Sequence, residues 1–335
     1  MTTTPVNRGT LVLTRADVVR LLDAKSCIAA VESAFRARGE GRPAPSGVLG
    51  IHLTDGGLHA KGAALDLKHA FAAVKVNANF PSNPVRRGLP TIQGVLALFD
   101  AENGRVLALM DSMSITTLRT AAASAVAAKY LSAPAAEQLT IIGCGVQALP
   151  HVVAMAAVRP IKRVVAYDTE PGTSARFCVA VKATTGIDAR AATDIEDATK
   201  TSPIVVTLTP SQDGFLHRHQ LRAGAFVAAA GADSEHKQEM TPALMATAAV
   251  IVDDIDQCAA IGDLHHAIIG GAMQRGDVRA TLADVVVNPS KGRRSGDEIV
   301  IFDCTGVAIE DVAAAAITYE RALTDGSGQW IRLDA

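Results

Sequence analysis

The stretch LTIIGCGVQALPHVVAMAAVRPIKRVVAYD, residues 139–168, decides the fold. An apolar run, Leu139 to Ile142, enters the glycine turn Gly143-Cys144-Gly145-Val146-Gln147-Ala148. A mostly apolar helical segment follows, and a second run, Val164 to Tyr167, stops at Asp168. The pattern is strand, tight turn, helix, strand, acid. Glycines let a backbone approach a pyrophosphate, a helix N-terminus offers unpaired N–H groups and partial positive charge, and an acid about 20 residues on accepts ribose hydroxyls. Gly143, Gly145 and Asp168 match those roles, with Ala148 as the third small residue that close helix–strand packing needs. A lone pair of glycines is a weak signal; the flanking strands and Asp168 give it weight. An acid at Asp168 repels a 2'-phosphate and accepts from a 2'-hydroxyl, so NAD is expected over NADP.

Upstream, Thr14 to Asp17 reads as a helix cap with an acid three residues on, and Val18, Leu21, Leu22, Ile28, Val31 and Phe35 recur near helical spacing. This predicts a helical region ending by Gly39 or Gly41. Short apolar or alternating runs then follow at Val48 to Leu53, Ala72 to Val76, Ile92 to Phe99 and Val106 to Met110, with turn residues between them. They predict an antiparallel sheet, with Asp100 to Gly104 as a hairpin turn. Thr116-Thr117 is placed to cap an alanine-rich helix over Leu118 to Leu131. Beyond Asp168 a helix is expected from about Thr173 to Lys182, with strands at Ile204 to Leu208, Ala225 to Ala229, Val250 to Val252 and Glu298 to Phe302. Alternation of strand and helix implies a parallel sheet with crossover connections. A closing helix over Val307 to Leu323 is placed to pack back on the N-terminal part. The fold class is therefore α/β, a Rossmann-like doubly wound sheet inserted in a discontinuous α+β domain formed by 1–118 plus 307–335, the insert being 119–306.

The chain has 335 residues, 49% of them hydrophobic and 20% charged, the balance of an ordinary globular protein. A net charge of -2 gives no reason to expect nucleic acid or a membrane as a partner. MTTTPVNRGT lacks the basic start and apolar run of a leader, and no apolar run approaches the roughly 20 residues that span a bilayer. A cytoplasmic location is expected. Five scattered cysteines with no CxxC pair indicate neither a disulfide framework nor a zinc site, and the nine histidines form no ligand pattern, so no metal is expected.

Ligands of open α/β sheets lie beyond the carboxyl ends of the strands, where Asp168, Thr207, Thr209, Asp233 and Thr305 with Cys304 fall. Asp233 either caps a helix over Ser234 to Met240 or brings its carboxylate to that crevice. Lys75, flanked by Ala72 to Val74 and Val76, either extends its ammonium to water or faces a pocket and holds an anion. Arg119, at the expected start of the alanine-rich helix, opposes the macrodipole there, which suggests an anionic partner. Together they would clamp a carboxylate.

Lys75-Val-Asn-Ala-Asn79, Gly88-Leu-Pro-Thr91, Leu118-Arg-Thr-Ala-Ala122, Ala127-Ala-Lys-Tyr-Leu131, Gly143-Cys-Gly-Val-Gln147, Val165-Ala-Tyr-Asp-Thr169, Gly231-Ala-Asp233 and Phe302-Asp-Cys-Thr-Gly306 together resemble the ornithine cyclodeaminase and mu-crystallin family. The resemblance covers nearly the whole chain. It implies a substrate-binding and dimerisation domain beside an inserted Rossmann domain, and a homodimer. It implies a nicotinamide cofactor at Thr91, Arg119, Val146, Gln147, Asp168, Thr209, the strand end Val227 to Ala230, Lys237 and Cys304. Substrate contacts would fall on Lys75, Arg119, Asp233 and Thr305, with Asp233 exchanging a proton at the substrate nitrogen and Lys75 beside it.

Family members convert ornithine or lysine to cyclic amino acids, dehydrogenate alanine, or reduce imino acids. Ornithine cyclodeaminases carry an arginine some two dozen residues before the lysine, and a glutamate between them that faces the distal amino group. Here Pro45-Ser46-Gly47 and Leu58-His59-Ala60-Lys61 stand in those regions. Lys61 supplies a positive charge that would repel a diamine, so a substrate with a neutral, small or acidic side chain is expected. The resemblance favours an NAD(H)-dependent dehydrogenase or imine reductase acting on a small amino or imino acid, of the alanine dehydrogenase or pyrroline-2-carboxylate reductase type. The alternatives are an ornithine cyclodeaminase with catalytic NAD and a non-catalytic, crystallin-like protein that binds NAD(P)H or another ligand.

Overall fold

The computed structural model describes residues 9–42 and 44–333. Residues 1–8, read above for a leader, lie outside the described residues. Contacts divide the chain into two compact units, one running up to Arg119 and resuming at Ala308, the other Thr120–Val307.

The first unit holds β1 (Thr10–Leu13), β2 (Ser46–Leu53), β3 (Gly56–Asp66), β4 (Ala70–Asn79), β5 (Ile92–Asp100) and β6 (Val106–Asp111), closed at the far end of the chain by a short strand, Gln329–Ile331. In sheet order the short strand pairs with β1, then follow β6, β5, β4, β3 and β2, antiparallel except between β1 and β6. The helix Ala308–Asp325 packs on the helix Ala24–Gly39 and on β3 and β4, so the end of the chain completes the core begun at its start.

The second unit is built on β7 (Gln138–Ile142), β8 (Arg163–Tyr167), β9 (Asp188–Ala191), β10 (Ile204–Thr207), β11 (Phe226–Ala229), β12 (Ala249–Val252), β13 (Ala280–Thr281) and β14 (Val300–Asp303). Among the described residues the order is β13-β12-β14-β11-β10-β7-β8-β9, and every pairing is parallel. Strands covered by helices on both faces read as continuous apolar runs, and every residue of β10, β11, β12 and β14 is buried. The chain runs outward from β7 through β8 to β9, then returns to β10 on the other side of β7. The switch point between β7 and β10 is where such sheets open a crevice.

Several local expectations are corrected. The first helical region is two helices, Arg15–Leu21 and Ala24–Gly39, because Asp23 caps the second by accepting the Ser26 N–H at 2.9 Å. The eleven residues of β3 were absent from the expected strands, since the small residues Gly62, Ala63 and Ala64 carry little strand signal. The alanine-rich helix starts at Ser112, not Leu118: Asp111 accepts the Ser114 N–H at 2.8 Å, and Thr117 instead donates its hydroxyl to the Met113 carbonyl. Arg119 therefore lies two turns inside the helix, and the macrodipole argument for it fails. No helix forms over Ser234 to Met240, so Asp233 caps nothing; the next cap is Thr241, ahead of Pro242–Thr247. Among the described residues no helix is long and apolar enough to cross a membrane.

Asp111→Ala removes the acceptor for the Ser114 N–H and is expected to cost about 1 kcal/mol of stability, measured by urea unfolding. An unchanged midpoint would show that this carboxylate does not cap the helix.

Candidate functional site

The glycine turn sits at the end of β7. Gly143 has φ +90°, and a Cβ there would stand 2.8 Å from the Leu208 carbonyl oxygen, so both conformation and space demand glycine. A Cβ on Gly145 would meet nothing within 4 Å, leaving the backbone open to a ligand. The helix Ala148–Val158 begins at Gln147 with no side-chain cap, and the Oε1 of Gln147 is buried without a hydrogen-bond partner among the described residues. Val146 is 80% exposed beside it. Uncapped N–H groups and an open glycine suit a bound pyrophosphate, whereas the Gln147 oxygen, an acceptor, would need a donor such as a hydroxyl.

Asp168 follows β8. Its Oδ2 accepts the Cys144 N–H at 2.8 Å and its Oδ1 the Glu170 N–H at 3.0 Å, which braces the glycine turn and leaves each oxygen a lone pair for a hydroxyl. A crevice of about 340 Å³ opens beside it, lined by Gly143, Tyr167, Asp168, Ile195, Thr209 and Phe215 among others. The Cys144 thiol is pushed up to about 12 by burial and then by the Asp168 charge, so it is an inert thiol.

On the other side of β7 the strand ends are held by acids. Thr209, beyond β10, gives both its N–H and its hydroxyl to the buried carboxylate of Glu239, at 2.7 and 2.8 Å. Ala230 lies just past β11, its N–H donating to the Thr207 carbonyl, whereas Val227 is wholly buried in the apolar core of this unit. Of the expected strand-end contacts Val227 to Ala230, Ala229 ends β11 and Ala230 follows it. Asp233 is on the following loop and pairs with Lys237 at 2.6 Å. Thr305, after β14, donates its N–H to Asp253 at 2.8 Å and accepts from the Gln257 amide at 2.8 Å; Cys304 beside it is buried.

The first unit carries a buried ion cluster. Lys75 points inward from β4, with its Nζ 2.9 Å from Oδ1 and 2.8 Å from Oδ2 of Asp311. Arg119 donates through Nε to Asp311 Oδ1 at 3.1 Å and through Nη1 to Glu310 Oε2 at 2.9 Å. Both cations are over nine-tenths buried, so the reading of Lys75 as extended to water is excluded. Lys61 stands directly opposite Lys75 in the β3–β4 register. Like charges so placed repel. Burial, the largest influence, lowers Lys75 to about 8 against the opposing pull of Asp311, with Arg119 and Lys61 adding to the fall. Burial alone would raise Asp311, yet Lys75, Arg119 and Lys61 hold its carboxyl below the usual range. Thr91 lies at the entry to β5, its carbonyl accepting the Phe80 N–H. Asp311 and Glu310 match Lys75 and Arg119 one for one, and Lys61 adds positive charge beside them.

Residues 8–326 match the ornithine cyclodeaminase/mu-crystallin family. The chain belongs to that family. It is 35% identical to an alanine dehydrogenase of Archaeoglobus fulgidus over 323 residues, 96% of this chain and 98% of that one. Among solved structures of similar fold are an archaeal alanine dehydrogenase dimer with bound NAD, TM-score 0.91 at 35% identity over 97% of this chain and 99% of that one. Another is the Thermococcus litoralis Δ1-pyrroline-2-carboxylate reductase in complex with NADH and L-proline, TM-score 0.91 at 30% identity over 96% and 100%.

In this member of the ornithine cyclodeaminase/mu-crystallin family four acids at the site escaped the sequence reading: Glu239, Asp253, Glu310 and Asp311. Glu310 and Asp311 open the closing helix, where acids are ordinary, and only the lone Lys75 in a strand signalled that an anion must face it. Glu239 gave no local signal.

The Lys75 pKa carries a sign. Because the folded state binds the Lys75 proton less tightly than the unfolded chain, whose lysine has the usual 10.5, stability rises with pH through the interval between the two values. Relative to Lys75→Met, the unaltered protein is expected to gain about 2 kcal/mol from about pH 7.5 to about pH 9.5 in urea unfolding. A difference that stays constant would place the lysine at its ordinary value.

Proposed function

We propose that the protein is an NAD(H)-dependent oxidoreductase that moves hydride between nicotinamide and the α-carbon of a small amino or imino acid, of the alanine dehydrogenase or pyrroline-2-carboxylate reductase type. The observation that carries this reading is the burial of Lys75 and Arg119 together on Asp311, in a chain with an uncapped glycine turn braced by Asp168. Asp311 and Glu310 match these two cations, and Lys61, opposite Lys75, adds a third positive charge that favours an anionic ligand; an α-carboxylate is the anion every amino or imino acid carries. The relatives named for alanine and for pyrroline-2-carboxylate act on substrates of that kind.

In this reading Lys75 and Arg119 hold the carboxylate, the arginine by its planar fork and the lysine as a point charge. Thr305 contacts the substrate, and Asp233 exchanges a proton with the amine or imine nitrogen. Gly143, Gly145, Val146 and Gln147 bear the pyrophosphate, Asp168 the ribose, and Thr91, Thr209, Ala230, Lys237 and Cys304 the remaining cofactor contacts. The bound nicotinamide supplies the hydride acceptor or donor. Lys61, opposite Lys75, supports a substrate without a distal ammonium. Five cysteines, none in a disulfide, fit a reducing cytoplasm.

The test is a spectrophotometric panel offering NADH with pyruvate plus ammonia and with cyclic imino acids, and NAD with alanine, proline, ornithine and lysine. Net NADH consumption on a keto acid with ammonia or on a cyclic imine is expected. Proline formed from ornithine with no net change in NADH would make the protein a cyclodeaminase, and nucleotide binding without turnover on any arm would make it a binding protein. With the substrate identified, Asp233→Asn is expected to lower turnover roughly 10²- to 10⁴-fold while NADH binding stays near its original strength; unchanged turnover would remove Asp233 from the proton transfer.

The chain is further proposed to form a homodimer, as the archaeal alanine dehydrogenase does. Every residue of β2 is exposed, including Val48, Leu49, Ile51 and Leu53, an apolar edge strand of the kind proteins cover. Leu49→Lys with Ile51→Lys is expected to shift the sedimenting species from dimer to monomer; a dimer that persists would place the interface elsewhere.

A further inference from the structure

Glu239 sits below the loops that follow β10 and β11, wholly buried. Its Oε1 accepts the Thr209 N–H at 2.7 Å and the Thr209 hydroxyl at 2.8 Å; its Oε2 accepts the Thr207 hydroxyl at 2.6 Å and the Gly231 N–H at 2.9 Å. Each oxygen thus faces one backbone N–H, a donor that cannot turn to accept. Because the two N–H groups can only donate, a protonated carboxyl could place its hydrogen only on a threonine hydroxyl, by turning that hydroxyl from donor to acceptor, whereas an ionised one has all four lone-pair positions filled as the contacts stand. A Cβ on Gly231 would lie 2.5 Å from Oε1, so glycine there is what admits the carboxylate.

The neighbouring acids leave the charge on Glu239. Asp263 Oδ1 accepts the N–H groups of Glu239 and Met240, each at 2.8 Å, and Asp303 accepts the Leu264 N–H at 2.9 Å. Neither has four donors. Burial and the repulsion among these carboxyls raise Asp263 well above the usual range, and burial first raises Asp303 to about 7. Burial also leaves Glu239 above the usual carboxylate range, its four donors limiting that rise without cancelling it.

A dinucleotide on a doubly wound sheet spans the switch point, here between β7 and β10. Asp168 beyond β8 takes the ribose on one side, so the nicotinamide half extends over the ends of β10 and β11, above Glu239. We propose that Glu239 is a specificity-determining residue of that half-site, a fixed anion that positions Thr209 and Gly231 and favours the oxidised, cationic nicotinamide ring over the neutral reduced ring. The inference rests on the dinucleotide reading above. A buried charge acts on its surroundings through a lower effective dielectric than water provides, so it reaches a ring that it does not touch.

The experiment measures Kd for NAD and for NADH by titration calorimetry on the unaltered protein and on Glu239→Gln. Glutamine keeps the volume and the acceptor for Thr209 and loses the charge; its NH2 then faces the Gly231 N–H, a cost that falls on both nucleotides alike. NAD binding is expected to weaken about tenfold relative to NADH. Equal weakening of both nucleotides, the result of a purely structural role, overturns the inference, as does no change in either. Failure of the unaltered protein to bind either nucleotide overturns the dinucleotide reading and this inference with it. Should Glu239→Gln not fold, Thr207→Val removes one donor from Oε2 and so favours the protonated carboxyl. It is expected to shift the ratio in the same direction, about two- to threefold; an unchanged ratio overturns the inference.

Discussion

Backbone N–H groups at the carboxyl ends of the parallel strands are tied down by buried carboxylates, and the geometry of the second unit depends on that one kind of bond. Glu239 joins the ends of β10 and β11, Asp263 fixes the backbone of Glu239, and Asp303, the last residue of β14, receives the Leu264 N–H. Asp253, just past β12, receives the N–H groups of Thr305 and Gly306. A parallel sheet leaves its carboxyl edge as a row of loops, and loops left to water are mobile. Here the acids tie those loops to one another and to the strand ends. The cost is desolvation of several carboxyls at once, which is why two of them lie far above their usual range.

The first unit solves the opposite problem. Its buried charges are cations, and the chain brings Glu310 and Asp311 from its final helix to meet Lys75 and Arg119. That pairing gives a physical reason for the discontinuity of this unit. Without the closing helix, two cations on β4 and on the helix Ser112–Leu131 would be buried with no counter-charge, a loss of the several kcal/mol that unpaired buried ions incur. The helix is therefore required electrostatically as well as for the apolar face it lays on β3 and β4.

What could be read from the sequence divides along the same line. The doubly wound sheet was legible because strands buried on both faces show as unbroken apolar runs, and because Gly143 and Asp168 stand at diagnostic spacing. Lys75 was legible as an anomaly, a single cation in an apolar strand. β3 was not, since its small residues resemble loop, and neither was the start of the alanine-rich helix, where two adjacent threonines outcompeted an aspartate hidden at the end of β6. Glu239 was invisible for a deeper reason. Its partners are 8, 30 and 32 residues away, and a carboxylate whose partners are backbone N–H groups and threonine hydroxyls leaves no counter-charge in the sequence to be noticed.

The register between β3 and β4 has a consequence for the substrate that composition alone would not give. Side chains alternate faces along a strand, so a slip of one residue would turn Lys61 away from Lys75 and leave Ala60 or Gly62 opposite it. The observed pairing instead sets two lysines side by side. Such a pair is tolerable only near anions, and Asp311, whose carboxyl both lysines hold down, is one. Glu310, on Arg119, is another; a further carboxylate would offset the repulsion between the lysines, whereas an incoming ammonium would add to it. In the proposed reading, a preference for an anionic substrate without a distal cation would follow from strand register, before any contact to a particular side chain is considered.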